Sequence, residues 1–208
     1  MKKHFLKIST AVMVACSIPC AVSGQKKAMQ IVPTAGVGYS ITGALMGFIS
    51  NGLNAVDVES SKTPVIIGGA DFAVTDIFSV GGIYTYQGLT VKYNSYQVED
   101  TAGNMITITG DFKDVLSRQS VGVRSLFHFG QNEDFDLYSG ARFSYVWWNY
   151  NGREDFDASM LSFGSPVKVQ ALFGMRYFFI PNLGIGMEFA VGATYFMSFG
   201  LNGRFGGI

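Results

Sequence analysis

The chain is poor in the residues from which most active sites are built. Its two cysteines, Cys16 and Cys20, and one of its two histidines, His4, lie within the first 20 of 208 residues. The rest of the chain can therefore form no disulfide and offers no thiolate, and with His128 as its one imidazole no metal centre is expected. A single histidine without a visible catalytic constellation gives no reason to expect an enzyme. Charge is scarce too: 14% of residues are charged, where a soluble domain has roughly 25%. The formal net charge is zero, which leaves a nucleic-acid partner without electrostatic support. Gly36-Val37-Gly38 and Gly184-Ile185-Gly186 are not completed into a phosphate loop, so no cofactor is expected.

What is plentiful points elsewhere. The chain has 26 glycines and 14% aromatic residues, a composition that suits short strands and tight turns. Its start reads as an export signal. Lys2, Lys3 and Lys7 precede a mostly apolar stretch from Ile8 to Ala21, and Val22-Ser23-Gly24 supplies small residues before Gln25. At about 14 residues the stretch is too short to span a bilayer comfortably. Residues 1–24 are therefore read as a cleaved signal peptide and 25–208 as the mature domain. A lipoprotein reading, with Cys16 as the lipidated residue, is the minor alternative. Cleavage removes three lysines and leaves 12 basic against 15 acidic side chains.

Beyond residue 24 the sequence alternates with period two. Ile31, Ala35, Val37, Tyr39 and Ile41 interleave with Thr34, Gly36, Gly38, Ser40 and Thr42, as in a strand with one apolar face. Similar segments follow at 65–74, 77–91, 118–129, 135–148, 166–179, 183–192 and 196–205, which makes eight. The apolar stretch from Tyr177 to Leu201 could pass for a membrane helix. Pro181 and the glycines at 184, 186, 192 and 200 argue against that, each glycine costing a helix about 1 kcal/mol relative to alanine.

The connections carry as much information as the strands. Thr75-Asp76, Gly130–Asp134 and Ile180-Pro181-Asn182 are short and turn-forming. They alternate with longer connections at 43–64, 92–117 and 149–165, and with a fourth, short one near Gly192–Tyr195. Within 92–117, Met105–Thr109 reads as part of a hairpin that prolongs strands three and four, and Asp111–Ser117 as a helical turn. Nine of the 15 acids fall in the three long connections: Asp57, Glu59, Glu99, Asp100, Asp111, Asp114, Glu154, Asp155 and Asp157. Short turns at one end and long loops at the other are what a membrane barrel with periplasmic termini predicts.

Faces decide which side is out. Phe135, Leu137, Ala141, Phe143, Tyr145 and Trp147 oppose Asp136, Tyr138, Gly140, Arg142 and Ser144; Val167, Val169, Phe173 and Tyr177 oppose Lys168, Gln170, Gly174 and Arg176. Eight strands leave an interior just wide enough for side chains. Large aromatics from every strand would overfill it, whereas glycine, serine and a few long charged chains would not. The aromatic faces are therefore expected outside. Asp71, Arg124, Arg142, Lys168, Arg176, Glu188 and Arg204 are then inside, where an ion-pair network centred on Asp71 and Glu188 is expected, because unpaired buried charge is costly. His128 also faces in, beside the turn at Gly130. Tyr84, Tyr86, Tyr145, Trp147, Trp148 and Tyr150 bunch near strand ends, where interfacial aromatics sit.

With the closing strand Phe199-Gly-Leu-Asn-Gly-Arg204-Phe205, the chain resembles the small outer-membrane β-barrels of Gram-negative bacteria, with OmpA-like or OmpX-like barrels of Bacteroidetes type. The resemblance implies an all-β, eight-stranded antiparallel up-and-down transmembrane barrel in the outer membrane. It also implies outer-membrane lipid and the barrel-assembly machinery as partners, the latter reading an aromatic at the end of the last strand. A monomer is expected. Two functions fit: a structural or surface-interaction protein with a closed interior, or a small pore for small polar or hydrophobic solutes. A lipid-modifying enzyme is the remote third.

Overall fold

The computed structural model describes residues 28–40, 59–99, 103–132, 134–152, 165–192 and 194–206. Residues 1–27, with the expected signal peptide, and the connections at 41–58 and 153–164 lie outside the described residues. The strands are β1 (Gln30–Tyr39), β2 (Glu59–Lys62), β3 (Val65–Ala73), β4 (Phe78–Glu99), β5 (Met105–Asn132), β6 (Phe135–Asn151), β7 (Val167–Ile180), β8 (Leu183–Val191), β9 (Met197–Gly203) and β10 (Phe205–Gly206). Each main strand pairs antiparallel with its neighbour in sequence, and β1 pairs with both β3 and β9. That last pairing closes an eight-stranded barrel from β1 and β3–β9. Strand β10 continues β9 past Arg204, and Gln30 lies opposite Gly206.

Alternation sets the two faces. Along β7, Val167, Val169, Phe173, Tyr177 and Phe179 are about half exposed, while Gln170, Leu172, Arg176 and Phe178 between them are buried. The same holds around the ring, with Ile66, Val80, Val123, Phe143, Ile185, Phe199 and Leu201 all open to the outside. A soluble barrel would hide these residues, so the molecule is inside out.

The interior is less polar than the sequence suggests. Val65, Ile67, Ile83, Leu126, Leu172 and Ala190 pack there with Tyr138 and Tyr195 as one buried cluster. A narrow barrel has to be filled, and aliphatic side chains fill the space that the ionic groups leave.

Two strands outrun the barrel. β4 has 22 residues and β5 has 28, and they stay paired to Glu99↔Met105. The expected helical turn at Asp111–Ser117 is instead strand, entered through an irregularity in the pairing between Thr109 and Phe112. Phe112, Asp114, Leu116 and Arg118 face inward, opposite Tyr93, Val91, Leu89 and Gln87. Period two persists because this face has its own core: Leu89, Val91, Tyr93, Tyr96 and Leu116 are buried, with Phe112, Trp148 and Tyr150 packed against them. The Tyr93 and Phe112 rings stack at 5.4 Å, with Tyr96 edge-on to Phe112 at 4.9 Å. Asp114 is thus no hydrated loop acid; it is buried and accepts the Tyr93 hydroxyl at 2.9 Å.

Candidate functional site: the barrel interior

One rung of the barrel sets the geometry. Asp71 of β3 lies opposite Gly81 of β4, and Gly81 opposite Arg124 of β5. The missing side chain at Gly81 lets the flanking pair meet over it: Arg124 Nε donates to Asp71 Oδ1 at 2.7 Å and Nη2 to Oδ2 at 2.9 Å. A Cβ on Gly81 would fall on Asp71 Oδ1. The device repeats on the far wall. Tyr138 and Glu188 flank Gly174, and the Tyr138 hydroxyl donates to Glu188 Oε2 at 3.1 Å over it.

From these two carboxylates the network spreads. Arg176 Nη2 reaches Asp71 Oδ2 at 2.5 Å, and Arg124 Nη1 reaches Glu188 Oε2 at 3.1 Å. Arg142 Nη2 and the Tyr195 hydroxyl both donate to Glu188 Oε1, the latter at 2.6 Å. Arg142 also donates to Gln170. The rings join in: Arg176 lies 4.5 Å from the Tyr138 ring centre and Arg142 4.9 Å from that of Tyr195. Bidentate and charge-assisted bonds of this kind are what keep buried ions tolerable. A cavity of about 20 Å³ beside Arg124, Tyr138, Glu188 and Tyr195 leaves room for a single water. At the level of this network the interior is packed.

Five of the seven expected interior charges therefore come together: Asp71, Arg124, Arg142, Arg176 and Glu188. Lys168 and Arg204 sit nearer the two rims. Lys168 is half exposed and lies opposite Ser144, towards the end with long connections. Arg204 is half exposed at the other rim, where its Nε donates to the Pro181 carbonyl and its guanidinium lies 4.2 Å from the Phe178 ring centre. Alternation gives the face of a residue but not its height along the barrel, and these two differ in height.

The sequence also concealed a relay. His128 Nδ1 lies 2.7 Å from Asp136 Oδ1, and its Nε2 2.8 Å from Ser79 Oγ. Hydroxyl, imidazole and carboxylate in this order form the arrangement of a serine hydrolase triad. Here Ser79 has no exposed surface, and Asp136 is shared with Arg176 Nη1 at 3.5 Å. Ser79 and Asp136 come from β4 and β6, on either side of His128, and only strand register could have revealed them.

At the end with long connections the lumen is bridged. Ser40 donates to Gln87 Oε1 at 3.0 Å, Arg118 Nη2 donates to the same oxygen at 2.8 Å, and Arg118 Nη2 reaches across to the Thr194 carbonyl. Among the described residues, no group of three or more His, Cys, Asp or Glu could hold a metal ion.

No protein-family model and no curated protein matches the chain. Among solved structures it is similar to a de novo designed transmembrane β-barrel, at 15% identity and a TM-score of 0.48 over 88% of this chain and 100% of that one. It is also similar to the N-terminal β-barrel domain of Pseudomonas aeruginosa OprF, at 10% and 0.46 over 86% and 100%. A third is Ail, the attachment invasion locus protein of Yersinia pestis, at 12% and 0.42 over 86% and 99%. These likenesses concern the fold alone.

Proposed function

We propose that the chain is an outer-membrane protein with a structural or surface-interaction role, and that it neither transports nor catalyses. The observation that carries this reading is the pairing of an apolar outside with a lumen locked by ion pairs. Open hydrophobic residues on every strand need lipid around them, and only a closed barrel satisfies all backbone groups there. A pore would need a path past Arg124, Arg142, Arg176 and Glu188, all buried and tied together through Asp71 and Glu188. Residues 1–24 would leave as a signal peptide, the barrel-assembly machinery would insert the rest, and the termini and short turns would face the periplasm. The closing strand through Phe205 supports a place among OmpA-like or OmpX-like monomers of Bacteroidetes type.

The surface role falls to the β4–β5 ribbon. Among the described residues, β2 pairs with β4 only at Leu89–Lys92, and β6 meets β5 only from Val115 onward. Beyond these points the described residues of β4 and β5 pair with each other as far as Glu99 and Met105. The ribbon's tip, Met105–Thr109, is exposed.

Single cysteines test the arrangement, because the chain beyond Cys20 has none of its own. Thr107→Cys should react with a membrane-impermeant maleimide on intact cells, and Asn182→Cys only after the outer membrane is opened. Equal labelling of both on intact cells, or recovery of the protein outside the outer-membrane fraction, would overturn the reading.

A further inference from the structure

We propose that the outer half of the lumen binds one small anion, a single carboxylate-sized group, anchored by Arg118. The case begins with charge. Arg124, Arg142 and Arg176 are matched by Asp71, Asp136 and Glu188, three cations to three anions. Arg118 is left over. It is 8% exposed, and its partners are the Gln87 amide oxygen, the Thr194 carbonyl and the face of Trp148 at 5.6 Å, all neutral. The next inward-facing acid along β5, Asp114, is four residues further out and is held by Tyr93. A buried guanidinium without a counter-charge is costly, and neutral oxygens leave its charge unbalanced.

Unpartnered donors lie alongside. Thr194 Oγ1, Ser144 Oγ, Gln170 Nε2 and Arg142 Nε are buried and have no hydrogen-bond partner among the described residues. Each of the four can donate a hydrogen. Gln170 lies opposite Arg142, Ser144 is the next inward residue of β6, and Gly192, two residues before Thr194, lies against the Val169–Gln170 backbone. Thr194 also carries the carbonyl that Arg118 reaches, and Arg142 joins Gln170 to Glu188. Water can satisfy a hydroxyl or an amide, but it does not neutralise Arg118. An anion does both.

Trp148, under the Arg118 guanidinium, is a built-in reporter. The chain has two tryptophans, so Trp147→Phe leaves Trp148 alone. In that variant, refolded in detergent, sodium formate should shift Trp148 emission saturably when ionic strength is held constant with a bulky morpholine sulfonate. Adding Arg118→Gln should weaken the apparent affinity about tenfold or more, as loss of a charge-assisted bond predicts. Thr194→Val, a gentler change that keeps the bridge, should weaken it severalfold and serves if Arg118→Gln does not fold. A non-saturating response, or one unchanged in whichever variant folds, overturns the proposal.

Discussion

Asp71 and Arg124 sit two strands apart and yet form a bidentate pair, because the residue between them in the same rung is Gly81. The same relationship joins Tyr138 to Glu188 across Gly174. Inward glycines act here as gaps through which ionic partners reach one another. This gives some of the chain's many glycines a role that turn formation does not cover.

Alanine at these gaps should therefore be harmful where alanine next door is not. Gly81→Ala would push a methyl onto Asp71, whereas nothing lies within 4 Å of a Cβ on the outward Gly82. In urea unfolding from lipid vesicles, Gly81→Ala should lose about 2 kcal/mol or more, from overpacking and the disturbed ion pair. Gly82→Ala should stay within about 0.5 kcal/mol of the parent. Equal effects at the two positions would show that the gap has no role.

Glu188 receives four partners: Arg124, Arg142, Tyr138 and Tyr195. Glu188→Gln keeps the shape and removes the charge, leaving Arg142 buried without a counter-ion and Arg124 with Asp71 alone. The expected loss is about 3–5 kcal/mol, the usual cost of breaking a buried pair from one side. Lys168→Gln, at a half-exposed site, should cost less than about 1 kcal/mol. An unchanged unfolding midpoint for Glu188→Gln would remove the network from the account of stability.

The Ser79–His128–Asp136 relay should be chemically silent. A fluorophosphonate probe is expected to leave the folded protein unlabelled, because Ser79 has no exposed surface. Stoichiometric labelling that disappears in Ser79→Ala would make the relay a working triad and the protein an enzyme. Ser79→Ala itself should cost about 1 kcal/mol of stability, the net worth of one hydrogen bond.

Much of this fold was legible because a barrel strand advertises itself twice, by period-two alternation and by its connections. Segment 166–179 foretold β7 to within a residue at each end, and its two faces came out as the alternation of Val169, Phe173 and Tyr177 with Gln170, Gly174 and Arg176 implies. The ribbon was harder to read. Asp111, Lys113 and Asp114 look like a hydrated loop, and the inward run Phe112–Asp114–Leu116–Arg118 makes sense only once Tyr93 and Leu89 stand opposite. Site residues were legible by face and not by height or partner. Lys168 and Arg176 share a face of β7, but only Arg176 is level with Asp71. Asp136 and Ser79 were hidden for the same reason, since pairing to His128 depends on the register between strands.

The central claim is that the ion-paired interior closes the barrel, and conductance tests it most directly. The purified protein, inserted into a planar bilayer in molar salt, should give no stable single-channel steps. Glu188→Gln, which frees Arg142 and loosens Arg124, should give steps if it still folds. Stable, reproducible steps from the unmodified chain would contradict the account and make the protein a pore.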